Sequence, residues 1–107
     1  MQTAARLAAL CGALLLGPVA LADAAKDAAF AKSKNCLACH AIDKKVIGPS
    51  YKEIAAKYRS DKSAEANLVK KVKAGGSGVW GATAMPPNAH VKEDDIKSIV
   101  QWVLTLK

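Results

Sequence analysis

The chain has 107 residues and a net charge of +7, with 16 lysines and arginines against 9 aspartates and glutamates. This length accommodates one small domain and excludes a multidomain enzyme with a separate cofactor domain. Apolar residues make up 51% of the chain, which is too many for a disordered basic tail, although only 5% of the residues are aromatic.

Residues 1–22, MQTAARLAALCGALLLGPVALA, have the layout of a secretory signal peptide. Arg6 precedes the apolar run Leu7–Leu16, and Ala20-Leu21-Ala22 has the small residues expected before a cleavage site. The alternative is a retained membrane anchor, but Pro18 interrupts the apolar stretch before it is long enough to span a bilayer. We therefore expect export to the periplasm and removal of this segment.

Cleavage would leave residues 23–107 as the mature domain and discard Cys11. A domain this short buries a small core and usually needs a disulfide, a metal or a cofactor to stabilise it. Two cysteines remain, Cys36 and Cys39. Export permits a disulfide between them, so their role has to be argued from their surroundings.

The first half of the mature chain predicts two helices. Asp23–Lys34 is rich in alanine, a strong helix former. A second helix is expected just after Pro49, because apolar residues then recur at helical spacing. These residues are Tyr51, Ile54, Ala55 and Tyr58.

Two further helices are predicted. Ala64–Ala74 has Ser63 as a candidate N-cap and Gly75 as a stop. The last helix runs from about Glu93 to Leu106, although Lys92 before it offers no acceptor for a cap. Its apolar stripe consists of Ile96, Ile99, Val100 and Val103.

The segment between these helices, residues 75–91, reads GGSGVWGATAMPPNAHV and has no helical or strand period. Four glycines and two prolines predict a long irregular loop, which in a small domain is usually functional. It contains Trp80, Met85 and His90. Because no alternating run argues for a sheet, we expect an all-α fold with four or five short helices.

The motif that carries chemistry is Cys36-Leu37-Ala38-Cys39-His40. A redox dithiol would need a preceding strand, and none is predicted. A zinc site would need four ligands, which Cys36, Cys39, His40 and His90 could supply. However, His40 directly follows Cys39, and two adjacent residues do not easily bind the same tetrahedral ion. The spacing C-x-x-C-H favours one covalently attached haem c, with two thioethers to the vinyl groups and His40 as an axial ligand.

The second axial position has two candidates. Met85 lies in Ala84-Met85-Pro86-Pro87-Asn88, which two prolines make stiff, so it is not simply a filler of a helical stripe. His90 is the alternative. We favour Met85 because of this stiff turn. Ligation by histidine and methionine would raise the reduction potential and close the iron to oxygen and peroxide, which favours electron transfer over catalysis.

Taken together, the haem motif and three further motifs resemble the small class I cytochromes c of bacteria, in particular the c-551 (c8) group. The further motifs are Ile47-Gly48-Pro49, Gly78-Val79-Trp80-Gly81 and Met85-Pro86-Pro87-Asn88. The resemblance implies the class I cytochrome c fold, with short helices wrapped around one haem. It covers essentially the whole mature chain.

The resemblance also implies individual roles. Cys36 and Cys39 would bind the haem covalently, His40 would be the proximal ligand and Met85 the distal one. The carbonyl of Pro49 would accept a hydrogen bond from the ligating imidazole. Trp80 would donate to a haem propionate, and Lys71 would place a basic group near a propionate. Asn88 would approach the methionine sulfur, and Phe30 would pack the first helix against the last.

The predicted function is that of a monomeric periplasmic electron carrier and not of an enzyme. It would shuttle single electrons from a donor cytochrome or membrane complex to a terminal reductase or oxidase, such as a nitrite reductase, a cytochrome oxidase or a peroxidase. Most of its 14 lysines would solvate helix faces, and a basic ring around the exposed haem edge would steer partners with acidic docking surfaces. The sequence has no base-reading motif that would indicate binding of nucleic acid.

Two alternative functions are open. One is a haem enzyme or gas sensor with an open sixth position, and the other is a haem subunit of a larger dehydrogenase.

Overall fold

The computed structural model describes residues 17–107, and the side chains from residue 23 onward. Residues 1–16, which include most of the expected signal peptide, lie outside this range. The four expected helices are present, together with one turn of 3-10 helix at Cys36–Ala38. They are α1 (Gly17–Ser33), α2 (Tyr51–Tyr58), α3 (Ala64–Ala74) and α4 (Glu93–Thr105). Within the described range, none of them has the length and apolar character needed to cross a membrane.

The start of α2 is fixed by reciprocal capping. The backbone N–H of Glu53 donates to Ser50 Oγ at 3.1 Å, and the N–H of Ser50 donates to the Glu53 carboxylate at 3.0 Å. Two N–H groups that the helix cannot pair are thereby satisfied. The pattern Ser-x-x-Glu at positions 50–53 is visible in the sequence and gives a sharper helix start than Pro49 alone.

The ends of α3 and α4 lie where the sequence predicts them, although one of the expected capping contacts is absent. Ser63 is the N-cap residue of α3, but its hydroxyl donates to Asp61 at 2.7 Å and does not cap the helix. Gly75 ends α3 with φ +73°. The α4 helix begins after Lys92 without a side-chain cap, as expected, and the three acidic residues of its first turn suit the helix dipole.

The segment expected to be an irregular loop contains a small antiparallel hairpin. Strand β1 (Gly76–Gly78) pairs with β2 (Gly81–Met85), with Gly76 opposite Met85 and Gly78 opposite Gly81. The strands are short, nearly all of their residues are exposed, and the three paired glycines have positive φ. No face of the hairpin is buried, so the sequence has no alternating pattern that could have predicted it. The fold remains mostly helical.

The hydrophobic core is organised around α4, which contributes to two clusters. In the first, Ile99, Trp102 and Val103 pack with Ala31 and Tyr51, and Phe30 packs against this group from α1 as expected. In the second, Ile96 and Val100 pack with residues of α3 and the segment before α4, Val69 and Val91. Helix α4 therefore connects the two parts of the core, and its inner face also forms a wall of the cavity described next.

Candidate cofactor site

A cavity of about 510 Å³ lies between α2, α3, α4, the 3-10 turn and the hairpin, and its wall is mostly apolar. All eight residues expected from the sequence to form the site line this one cavity: Cys36, Cys39, His40, Pro49, Lys71, Trp80, Met85 and Asn88. His90, the alternative ligand, is exposed and is not among the lining residues. A volume of this size is typical of sites for small molecules and cofactors.

His40 is held with one ring nitrogen paired and the other free to act as a ligand. Its side chain is buried, and Nδ1 lies 2.7 Å from the carbonyl oxygen of Pro49. A carbonyl can only accept, so Nδ1 carries the hydrogen and donates it. The neutral ring therefore has its lone pair on Nε2, the atom that can bind a metal. The contact expected between His40 and Pro49 is present.

The imidazole of His40 is also held by packing. Tyr51 stacks on the ring at 5.1 Å between centroids, with an interplanar angle of 21°. Trp102 in turn contacts Tyr51 edge-on, at 5.6 Å. Burial strongly raises the pKa of the Tyr51 hydroxyl, which therefore stays neutral. In the sequence Tyr51 is one member of a helical stripe, and nothing there distinguishes it as a neighbour of the site.

Gly48 makes a close contact with His40. A Cβ atom at position 48 would lie 2.6 Å from Cε1 of the imidazole and 3.0 Å from Nδ1. Even the smallest side chain would therefore force the imidazole or the backbone of residue 48 to shift, which would disturb the hydrogen bond to Pro49. The sequence motif Ile47-Gly48-Pro49 therefore combines a residue that leaves room for the imidazole with one that accepts its hydrogen bond.

We expect Gly48→Ala to destabilise the folded protein by about 1–3 kcal/mol, the usual cost of overpacking a buried site. It should also weaken the hydrogen bond from His40 Nδ1, which NMR of the imidazole N–H would detect. Gly81→Ala is the control, because Gly81 does not line the cavity, a Cβ there meets nothing within 4 Å, and only backbone strain results from its φ of +113°. An unchanged imidazole resonance in Gly48→Ala would contradict this interpretation of the contact.

Cys36 and Cys39 lie at either end of the 3-10 turn as half-buried free thiols. Burial raises the pKa of the Cys36 thiol, whereas a redox dithiol depends on a lowered one. No described strand precedes the motif. Within residues 17–107, no group of three or more histidine, cysteine and acidic side chains is placed to hold a metal ion. These findings disfavour the dithiol and the zinc site.

Met85 ends β2 and is half-buried at the cavity wall. Gly75 approaches it so closely that a Cβ would lie 2.5 Å from the Met85 carbonyl oxygen. The Asn88 amide Nδ2 donates to the carbonyls of Val72 at 3.2 Å and Pro86 at 3.1 Å. The structure thus gives Asn88 a role in fixing the backbone around Met85. Its expected approach to the methionine sulfur stays a prediction.

Trp80 and Lys71 lie where the cavity meets solvent. Trp80, at the turn of the hairpin, is 41% exposed, and Nζ of Lys57 lies 5.8 Å from the centre of its ring. Lys71 is half-buried and folds its ammonium group over Gly76. Both can present a donor to an anionic group at the mouth of the cavity, as the sequence predicts for the haem propionates.

The residues present fit the expected haem. A mostly apolar wall suits a flat tetrapyrrole ring. The free Nε2 of His40 and the sulfur of Met85 belong to the donor types that bind haem iron, and two free thiols are available for the vinyl groups. Lys71 and Trp80 supply polar contacts at the open edge.

The comparisons with known proteins agree with one another. A family model described as Cytochrome c matches residues 24–107. The chain is 48% identical to the cytochrome c-551 of Allochromatium vinosum, over 88% of this chain and 96% of that one. It is 51% identical to the cytochrome c-552 of Nitrosomonas europaea, over 76% and 79% of the two chains. The crystal structure of that cytochrome c552 superposes with a TM-score of 0.73, covering 75% of this chain and 99% of the other.

Proposed function

The chain belongs to the cytochrome c family and is of the class I c-551 type, and we propose that it is a periplasmic carrier of single electrons between respiratory donors and a terminal reductase or oxidase. The proteins of this family transfer electrons and are not enzymes. The observation that carries the finer proposal is that one cavity brings together Cys36, Cys39, His40 and Met85 and leaves His90 outside.

A haem c bound in this cavity supplies the one-electron couple of its iron. Cys36 and Cys39 would hold it through two thioethers. His40 would bind the iron through Nε2, in an orientation that Pro49 and Tyr51 fix. Met85 would bind the iron through its sulfur. With both ligands in place, oxygen and peroxide would be excluded, and little of the protein would have to move during electron transfer.

The other lining residues have supporting roles in this proposal. Trp80 and Lys71 donate to the propionates at the solvent edge. Asn88 fixes the backbone that carries Met85 and approaches its sulfur. None of these residues takes part in bond making. They set the orientation of the cofactor and the electrostatic environment of the iron.

Electron exchange with partners occurs in this proposal at the edge where the cavity opens. Ile47, Val79 and Trp80 line the cavity and are 55%, 51% and 41% exposed. Val46 beside them is 47% exposed. An exposed apolar group of this kind marks a contact surface, and the lysine-rich chain suits a partner with an acidic docking surface. The donor is a cytochrome or a membrane complex, and the protein works as a monomer.

Protein-film voltammetry of the full protein with its cofactor tests the proposed function. An electron carrier should give a reversible one-electron wave and no catalytic current with oxygen, peroxide or nitrite. A catalytic current would instead support a haem enzyme with an open site. Co-purification with a larger complex at moderate salt would favour a subunit of a dehydrogenase.

If surface charge steers the partners, the rate of electron transfer should depend strongly on salt concentration. We expect the rate of electron transfer to an acidic redox protein to fall about tenfold between ~0.01 M and ~0.15 M salt, because ions screen attraction between exposed charges. Stopped-flow measurements would record this rate. Reduction by a small neutral quinol serves as the control and should hardly change with salt. A rate with the acidic protein that is equally insensitive to salt would contradict steering.

A further inference from the structure

The last turn of α3 is capped by the segment that carries Met85. The final four carbonyls of a helix have no partner inside it. In α3, the carbonyl of Val72 accepts from the backbone N–H of Asn88 at 3.1 Å and from its side-chain amide at 3.2 Å. The Met85 segment, residues 85–91, therefore takes the place that water or a capping side chain would otherwise fill.

Lys73 makes the opposite connection, from the helix to the far end of the Met85 segment. Its Nζ donates to the carbonyl of Val91 at 2.7 Å, across 18 residues of sequence. The ammonium group is part-buried, and Val91 is buried in the cluster with Ile96 and Val100. A short, charge-assisted hydrogen bond to a fixed acceptor restrains the backbone at Val91 more than an exposed hydrogen bond would.

These contacts hold the Met85 segment at three places. Gly75 lies against the carbonyl of Met85 at its start, Asn88 bonds to Val72 in its middle, and Lys73 bonds to Val91 at its end. The two prolines stiffen the backbone between the first two places. Any backbone movement that carries the Met85 sulfur away from the cavity has to loosen this arrangement. Of the three contacts, the one at the end depends on a single side chain.

We infer that Lys73 is a positioning residue for Met85, acting through its hydrogen bond to Val91. This inference rests on the proposed role of Met85 as an iron ligand. Lys73 does not line the cavity, so its charge does not act on the cofactor by direct contact. The three lysines of residues 70–73 thus have different surroundings. Lys70 is exposed, Lys71 lies at the cavity mouth, and Lys73 holds the Met85 segment.

The test uses the full protein with its cofactor in the ferric state, with cyanide as the probe. Cyanide can bind only after Met85 has left the iron, so its binding rate reports how often the ligand opens. Lys73→Met keeps the apolar stem and removes the donor, while Lys73→Arg keeps a charged donor. Lys70→Met is the matched control, because Lys70 is exposed on the same helix. Guanidinium unfolding of each variant measures global stability separately.

We expect Lys73→Met to bind cyanide about tenfold faster, the effect expected from losing one hydrogen bond to a charged group. Lys73→Arg should restore most of the original rate, and Lys70→Met should leave it unchanged. A lower unfolding midpoint with an unchanged cyanide rate in Lys73→Met would overturn the inference, since the role would then be structural only. If Met85 is not the iron ligand, the result would be different: wild-type protein would bind cyanide as fast as the Met85→Ala variant does.

Discussion

Replacing Met85 with alanine is expected to open the iron to carbon monoxide and to lower the reduction potential by an amount on the order of a few tenths of a volt. The size follows from the range of about 0.8 V over which axial ligands set haem potentials, with methionine at the high end. The cofactor should stay attached, because Cys36 and Cys39 are unchanged. Redox titration and the spectrum of the reduced variant under carbon monoxide measure the two effects.

His90→Ala is the matched control for this experiment. His90 belongs to the same segment but is exposed and does not line the cavity, so its removal should change neither the potential nor carbon monoxide binding. If Met85→Ala retained the original potential and excluded carbon monoxide, Met85 would not be the ligand. If His90→Ala showed the large effects instead, the alternative ligand would be correct.

The double substitution Cys36→Ala, Cys39→Ala is expected to abolish covalent attachment and to leave the polypeptide largely unfolded. Without the cofactor, the mostly apolar wall of the 510 Å³ cavity would face water, and its residues would lose burial that a domain this short needs. The whole stability of a small domain is only about 5–15 kcal/mol. We therefore expect the fold to depend on a filled cavity, which the proposed thioethers would maintain.

Haem staining after denaturing electrophoresis measures attachment, and far-UV circular dichroism measures helix content. Ala38→Ser is the control, because Ala38 is an exposed residue of the same 3-10 turn and both thiols remain. It should retain stain and helix content. Haem that stays on the doubly substituted chain through electrophoresis would contradict attachment at these cysteines, and a fully helical chain without haem would contradict the role of the cofactor in folding.

Much of the site was predictable because its chemistry depends on short motifs. The spacing of Cys36, Cys39 and His40 predicts attachment of one cofactor, and the prolines after Met85 indicate that it is not simply a core methionine. The structure places all of these residues at one cavity. The helices were predictable for a related reason, since α3 and α4 each have one apolar stripe that a 3.6-residue period reveals.

What the sequence did not reveal depends on contacts between distant segments. Tyr51 stacks on His40 where its backbone N–H donates to the carbonyl of Ala41, ten residues earlier, and no local pattern shows this. The hairpin has no buried face, so it has no periodicity to detect. The difference between Lys70 and Lys73 arises from a bond to Val91, 18 residues beyond Lys73. Such roles become visible only when the chain is folded.

We propose that His40 and Met85 close both axial positions of one covalently bound haem in an electron carrier. The most direct test is the visible spectrum of the purified protein when oxidised, when reduced, and when reduced under carbon monoxide. We predict sharp bands of reduced haem c that carbon monoxide leaves unchanged. A shift of these bands under carbon monoxide would contradict the claim by showing an open iron, and a protein without haem bands would contradict it altogether.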